Sequence, residues 1–376
     1  MPGNAGDTAD VPSYDGDFRP FSYFEAAYGS FQAAEHRSGE NISHFYRIAN
    51  RTVRLRFAGP ALVPRLTPAL AHLTTPPTDS PDLTICLWDS ASTHIAPPEA
   101  PWRLRDQFPG GSIRGYNSER FRTATQGEPE AVSVLDRALG LAVYWTCAAD
   151  QIPSHEMASP LHVILHWSLD HAGFQFVHAG AVGTERSAIL LTGKGGSGKS
   201  TTAVACLEYG LTYLGDNFVF LSTRPVPYVW SLYNSTKLNA DSLERLPYLS
   251  SVVRNPNRPE GEKALVFLQD RYPGRLVASL PVSAIILPQI TESLETRLVR
   301  SSRAAALFAL APTSIFQLPD ADQYAFRTMA DFAKQVPCYT LEIGRNSSKI
   351  PQLISDLLEK IGHSSHDDFL GIGIRQ

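Results

Sequence analysis

Apolar and charged side chains alternate along 53–57, with Val53, Leu55 and Phe57 on one side and Arg54 and Arg56 on the other. A period of two predicts a strand with one buried and one wet face. Asn50-Arg51 supplies the turn from a preceding strand at 45–48. The stretch 61–73 reads as a short helix interrupted by Pro64 and Pro68. Prolines crowd the stretch from Pro76 to Pro109, where 83–88 is the one strand-like run, and 131–145 reads as a strand pair. Ser159-Pro160 predicts a helix start, a capping hydroxyl followed by proline at the first helical position. Leu161, Ile164, Leu165 and Leu169 then share one face up to Gly173. The opposite face carries His162, His166 and Asp170. Their spacing suits a metal, but the glutamate of H-E-x-x-H is missing, so the face is read as solvated and no metal is assigned there. Strands follow at 174–177, 187–192, 211–214, 218–221, 264–268 and 282–287. Helices are predicted at 201–209, 303–310 and 322–336, and an apolar stripe at 350–361 is closed by Gly362.

These elements predict an α/β protein divided into a loose tail at 1–40, an N-terminal α+β domain at 41–150, a nucleotide domain at 151–362 and a C-terminal tail at 363–376. The N-terminal domain carries no catalytic motif; it either presents a partner or dimer surface or simply covers the nucleotide module. A hydrophobic content of 43% with 19% charged residues is ordinary for a globular chain, and a net charge of −4 argues for no particular partner. No Lys/Arg block indicates nucleic acid. No apolar run approaches the ~20 residues that span a bilayer, so neither nucleic acid nor membrane is expected as a partner. The four cysteines lie far apart without C-x-x-C pairing, which excludes a zinc ribbon and a disulfide scaffold. The acidic start does not resemble a signal peptide, and a cytoplasmic location is expected.

Candidate chemistry is concentrated in Gly193-Lys194-Gly195-Gly196-Ser197-Gly198-Lys199-Ser200. This is G-x-x-x-x-G-K-S between a strand-length apolar run and a helix, with Thr201 opening the helical stretch. Glycines let successive backbone N–H groups turn inward to cradle a polyphosphate, and the helix N-terminus adds its positive end. Lys199 would reach the β/γ-phosphates of ATP, and the Ser200 hydroxyl would hold Mg²⁺.

A phosphoryl transfer also needs a carboxylate and further positive charge. Asp216 follows a short apolar run, so a helix and a returning strand can bring it back beside the loop. There it would be the base for an acceptor hydroxyl or a Mg²⁺ ligand, although Gly215-Asp216-Asn217 is also a common turn composition. His178 closes the preceding strand, within reach of tuning that carboxylate. The stretch 231–238 could line the acceptor side. Lys237, Arg254, Arg258 and Lys263 are the available cations, with Lys263, just before a strand, the first choice.

Val177-His178-Ala179-Gly180-Ala181-Val182, the glycine-rich loop and Tyr213-Leu214-Gly215-Asp216-Asn217 together resemble the HPr kinase/phosphorylase family, over 174–221. That resemblance implies a nucleotide domain similar to phosphoenolpyruvate carboxykinase, and an ATP- and Mg²⁺-dependent kinase acting on a hydroxyl, most simply serine. His178 would support Asp216 as the base, and Lys199 and Ser200 would hold phosphate and metal. Asn217 stands where the family has a second aspartate; its amide oxygen could still touch the metal but adds no charge. The family's arginine-glycine-rich signature downstream has no counterpart here. The acceptor could be a peptide, a protein or a small molecule, and a homo-oligomer is compatible with the domain layout. A nucleotide-binding regulator or ATPase switch without an acceptor, and a scaffold that keeps the loop for stability, are the alternative readings.

Overall fold

The computed structural model describes residues 17–127, 130–169, 172–315, 319 and 323–370. It is a mixed α/β structure built on two large sheets. A long helix, α1 (Phe18–Ser38), leads into β1 (Asn41–Ile48) and β2 (Arg51–Ala58). The turn between these strands holds Ala49 and Asn50 at φ 47° and 64°. Two consecutive positive-φ residues give the tight hairpin whose twist matches that of its strands. Next come α2 (Val63–Leu66), a 3₁₀ turn at Pro68–Leu73, β3 (Leu83–Asp89) and α3 (Ser90–Thr93). The strands β4 (Phe121–Gln126), β5 (Ala131–Asp136) and β6 (Leu141–Thr146) complete a six-stranded sheet in the order β1-β2-β3-β6-β5-β4.

The expectation of a loose tail to residue 40 fails for residues 18–38. Tyr23, Phe24, Ala27, Phe31 and Ala34 recur at helical spacing and are buried together with Trp88, Phe121 and Trp145 on one face of the first sheet. Aromatic crowding hid a helical period. The same helix corrects the reading of β2 as wet on one side, because the Arg56 guanidinium forms a two-pronged ion pair with Glu35 of α1 and lies 5.4 Å over the Phe31 ring. Phe31 is fully buried. Phe31→Ala is therefore expected to cost about 3–5 kcal/mol, read as a fall in the urea midpoint by circular dichroism. An unchanged midpoint would mean that α1 is not integral to the fold.

The connection to the second half consists of α4 (Ser154–Ala158) and α5 (His162–Leu169). Ser159-Pro160 does not begin α5 as expected: Leu161 sits at φ 59°, and the Ser159 hydroxyl instead accepts a hydrogen bond from Asn217 Nδ2 at 2.6 Å. The second half then runs β7 (Gln175–Val177), β8 (Gly180–Gly183), β9 (Ala188–Leu191), α6 (Lys199–Tyr209), β10 (Thr212–Gly215), β11 (Val219–Ser222), β12 (Tyr228–Trp230), β13 (Ser235–Leu238), α7 (Ala240–Arg245) and β14 (Ala264–Phe267). It ends with β15 (Ser279–Ile290), β16 (Arg297–Ser301), α8 (Arg303–Ile315), α9 (Gln323–Gln335), β17 (Cys338–Ile343) and α10 (Ile350–Leu370). Gly362 does not close α10, which continues to Leu370, since a glycine inside a helix costs only about 1 kcal/mol.

Nine strands form the second sheet, in the order β10-β8-β9-β15-β12-β11-β7 with β17 on β15 and β16 on β17; β13 and β14 pair separately. One face is covered by α6 and α10, through residues such as Val204, Leu207, Ile354 and Leu358. The other face is covered by α8 and α9, through Leu310, Met329 and Phe332. The two sheets share a further core, in which Leu55, Phe57 and Tyr144 of the first meet Trp167 of α5 and Phe176, Phe220 and Tyr233 of the second half. Asn234 ties the halves together, its side chain donating to Pro68 O and its backbone N–H to Ala69 O, both at 2.8 Å. No helix among the described residues is long and apolar enough to cross a membrane.

Candidate active site

Three segments remote in sequence end at the same edge of the second sheet, and the register explains why. Strand β8 is antiparallel to both β9 and β10, which flank it. The ends of β9 and β10 therefore lie beside the start of β8. The glycine-rich loop leaves the end of β9, Asp216 follows β10, and His178 precedes β8. The backbones approach closely here: a Cβ on Gly180 would come within 3.2 Å of Gly215 O and 3.4 Å of Asp216 Cα.

The loop turns through positive φ at Gly193, Gly196 and Gly198 before α6 begins at Lys199. At Gly198, φ is 103°, a backbone conformation that favours glycine, and a Cβ would press on the end of the Ile343 side chain at 2.9 Å. Lys199 is buried, its Nζ donating to Gly193 O at 2.6 Å and to Lys194 O at 3.2 Å. Burial lowers its pKa, with Asp216 opposing that shift and Lys263 adding to it. Ser197 Oγ is buried without a hydrogen-bond partner. Gly195, Gly196, Gly198, Ser200 and Thr201 line a cavity of about 330 Å³ together with Asp216.

Asp216 is 4% exposed. Its Oδ2 accepts a hydrogen bond from Thr236 Oγ1 of β13, while Oδ1 is buried without a hydrogen-bond partner. Burial raises its pKa, and the Thr236 and Ser200 hydroxyls with Lys199 and Lys237 pull it back down. Lys237 points into the same cavity, its own pKa lowered by burial and by Lys263. Lys263 lines the cavity from an exposed position just before β14. Arg254 and Arg258 do not line it, and Arg254 is held in an exposed ion pair with Asp270 at 2.6 Å.

His178 hydrogen-bonds with the Asn217 side chain and lies tilted against Phe218, ring centres 5.4 Å apart. Burial, then Lys199 and Lys237, push its pKa down to about 3, so the imidazole is neutral at physiological pH. Asn217 is thus engaged on two sides, by His178 and by Ser159. The structure brings together His178, the loop, Asp216, Asn217, Lys237 and Lys263. Sequence reasoning missed Arg245 at the end of α7 and Thr236 as the immediate partner of Asp216. Asn239 does carry a legible signal, a helix N-cap whose side chain accepts from Ser242 N at 2.9 Å.

The solvated-face reading of the histidines on α5 is corrected. His166 is buried with its ring edge-on to Phe176, and His162 stacks on Phe218 with ring planes 3° apart. Asp170 lies outside the described residues. Among those residues no group of three or more His, Cys, Asp or Glu gathers as a metal centre.

No protein-family model matches the chain, and no curated protein does either. Among solved structures the chain is similar to the Hpr(Ser) kinase/phosphatase from Coxiella burnetii, with 10% identity and a TM-score of 0.28, over 51% of this chain and 99% of that one. The relationship is a distant one.

Proposed function

We propose that the chain is an ATP- and Mg²⁺-dependent kinase that transfers the γ-phosphoryl group to a hydroxyl, most simply that of serine. The observation that carries this reading is a buried carboxylate with one orphaned oxygen, Asp216 Oδ1, beside a buried lysine on a glycine-rich loop. An unsatisfied buried acceptor is costly in a folded protein and marks a place where a ligand completes the bonding. The loop at the N-terminus of α6 suits a triphosphate, the Ser200 hydroxyl suits a divalent cation, and the orphaned oxygen suits an acceptor hydroxyl.

When bound, Mg²⁺ would be held by Ser200 and would neutralise phosphate oxygens, leaving Asp216 as the proton acceptor. Asn217, engaged by Ser159 and His178, shapes this corner of the site rather than completing the metal set. Lys199 leaves the loop carbonyls for the β/γ-phosphates. Asp216 takes the proton from the acceptor hydroxyl, whose oxygen attacks the γ-phosphorus while the bond to ADP breaks. The raised pKa suits Asp216 to receive a proton. Lys237 and Lys263 offset the charge spread over the transferring group. Neutral His178 holds Asn217 in place without adding charge to an already basic site.

The direct test is transfer of ³²P from [γ-³²P]ATP with Mg²⁺ to serine-containing peptides, free serine and a cell lysate. Label on an acceptor that disappears in Lys199→Met supports a kinase. Hydrolysis without label favours the nucleotide switch, a reading that the tethering of Lys199 to Gly193 and Lys194 also supports. Lys237→Met is expected to lower transfer about 10²-fold and, by removing a charge that favours ionised Asp216, to move the acid limb of the pH–rate profile upward. Lys237→Arg should restore the limb. An unmoved limb in Lys237→Met would exclude Asp216 as the titrating base.

A further inference from the structure

Beyond Asn217 and Lys237 the main cavity adjoins a second cavity of about 280 Å³, lined by those two residues with His155, Glu156, Ser159 and His162. Glu156 lies on α4, with a side chain only 17% exposed. Its carboxylate lies near the His162 ring, Nδ1 to Oε2 at 3.9 Å, too long for a hydrogen bond. The same Nδ1 lies 3.2 Å from Ser159 O. His162 is in turn stacked flat on Phe218, which His178 and Phe176 also contact. His162 and Phe218 wall the cavity, and among the described residues no side chain hydrogen-bonds to the carboxylate. Lys237 lines both cavities and feels the field of both this carboxylate and Asp216. A half-buried carboxylate open to a cavity and without a hydrogen bond there suits a cation from outside. The phosphate end of the site, with Lys199, Lys237, Lys263 and Arg245, has the opposite character.

We infer that this second cavity is the acceptor pocket, and that Glu156 selects a peptide whose serine hydroxyl is flanked by a positively charged group. The inference rests on the kinase reading for the reaction, while the pocket and its charge preference stand on their own geometry. The hydroxyl reaches Asp216 past Asn217 and Lys237, and the flanking lysine, arginine or α-ammonium group pairs with Glu156. The orientation is enforced by repulsion as well, because a cation placed toward the loop would face Lys199, Lys263 and Arg245, which line the main cavity alone.

The test uses the full chain and peptides with one serine, flanked by arginine and lysine, by neutral residues or by glutamate. An amino-terminal serine peptide is included in free and acetylated forms, which separates an α-ammonium from a side-chain cation. Two readouts run in parallel: phosphoryl transfer, and fluorescence anisotropy of the same peptides without nucleotide. The wild type should prefer basic over acidic peptides at least tenfold in both. Glu156→Gln should erase that preference through KM, and Glu156→Lys should shift it toward the acidic peptides, with thermal unfolding and nucleotide affinity confirming that each variant is folded. Charge-selective binding without transfer would uphold the pocket and remove the kinase reading. Transfer without charge preference, a preference that survives in Glu156→Gln, or no peptide binding at all would overturn the assignment of Glu156.

Discussion

Asp216→Asn is expected to abolish phosphoryl transfer, by about 10³-fold or more, while leaving nucleotide affinity within a few-fold of wild type and raising thermal stability. A positioned general base contributes about 10²–10⁴ in rate, and an amide cannot take the proton. The stability change follows from the sign of the pKa shift. Asp216 has its pKa raised above the ordinary 3.8, chiefly by burial. Between its unfolded and folded values the native chain therefore binds more protons than the unfolded one, and stability falls as pH rises through the folded value. The neutral amide does not suffer this loss. The variant should match the wild type below the unfolded pKa and exceed it at pH 7 to 8, where a gain of 1 kcal/mol amounts to roughly 1 °C in Tm. Calorimetry over pH 4–8 and isothermal titration with ATP check both parts. A less stable variant that has also lost ATP would show that Asp216 is a structural residue and not the base. A stabilised but inactive variant is the pattern of a group held in a strained state for function.

Lys199→Met should lose both nucleotide affinity and transfer. Hydrogen bonds to charged groups are worth about 1.5–3 kcal/mol, so the loss of one ammonium contact predicts at least a tenfold weaker Kd for ATP. Transfer should fall much further, since charge on the migrating phosphoryl group is greatest in the transition state. The fold should tolerate the change: Lys199 is held by two backbone carbonyls of the loop, Gly193 O and Lys194 O, and its lowered pKa reflects an ammonium that burial disfavours. Methionine fills a similar volume with no charge to desolvate. Transfer that survives in Lys199→Met with ATP bound would place the phosphate cradle elsewhere. Comparing the two variants separates binding from chemistry: Asp216→Asn keeps the nucleotide and loses the proton acceptor, whereas Lys199→Met loses the nucleotide first.

What the sequence determined by itself was local. Hydrophobic period, caps and glycines located β2, β3, the strand–loop–helix unit from β9 through α6, and β10 ahead of Asp216, because each of those signals acts within a few residues of the chain. Gly210 stops α6 in the left-handed conformation, as expected from its position. The residues that meet around Asp216 were nameable for the same reason: each follows or precedes a recognisable strand. Contacts between remote segments were a different matter. That α1 covers the first sheet depends on Phe24 and Phe31 finding Trp88 and Trp145, which no local period encodes. Ser159 looked like a helix cap but is recruited by the partly buried Asn217 amide, which finds a partner there. The histidines of α5 looked solvated until Phe176 and Phe218 came to cover them. Thr236 against Asp216 and the half-buried Glu156 facing the second cavity likewise arise only when β13 and α4 are packed beside the loop. The tertiary structure decided which polar groups were satisfied and which were left exposed to a ligand. Desolvation and hydrogen-bond closure are properties of assembled neighbours, whereas strand and helix propensity belongs to the chain.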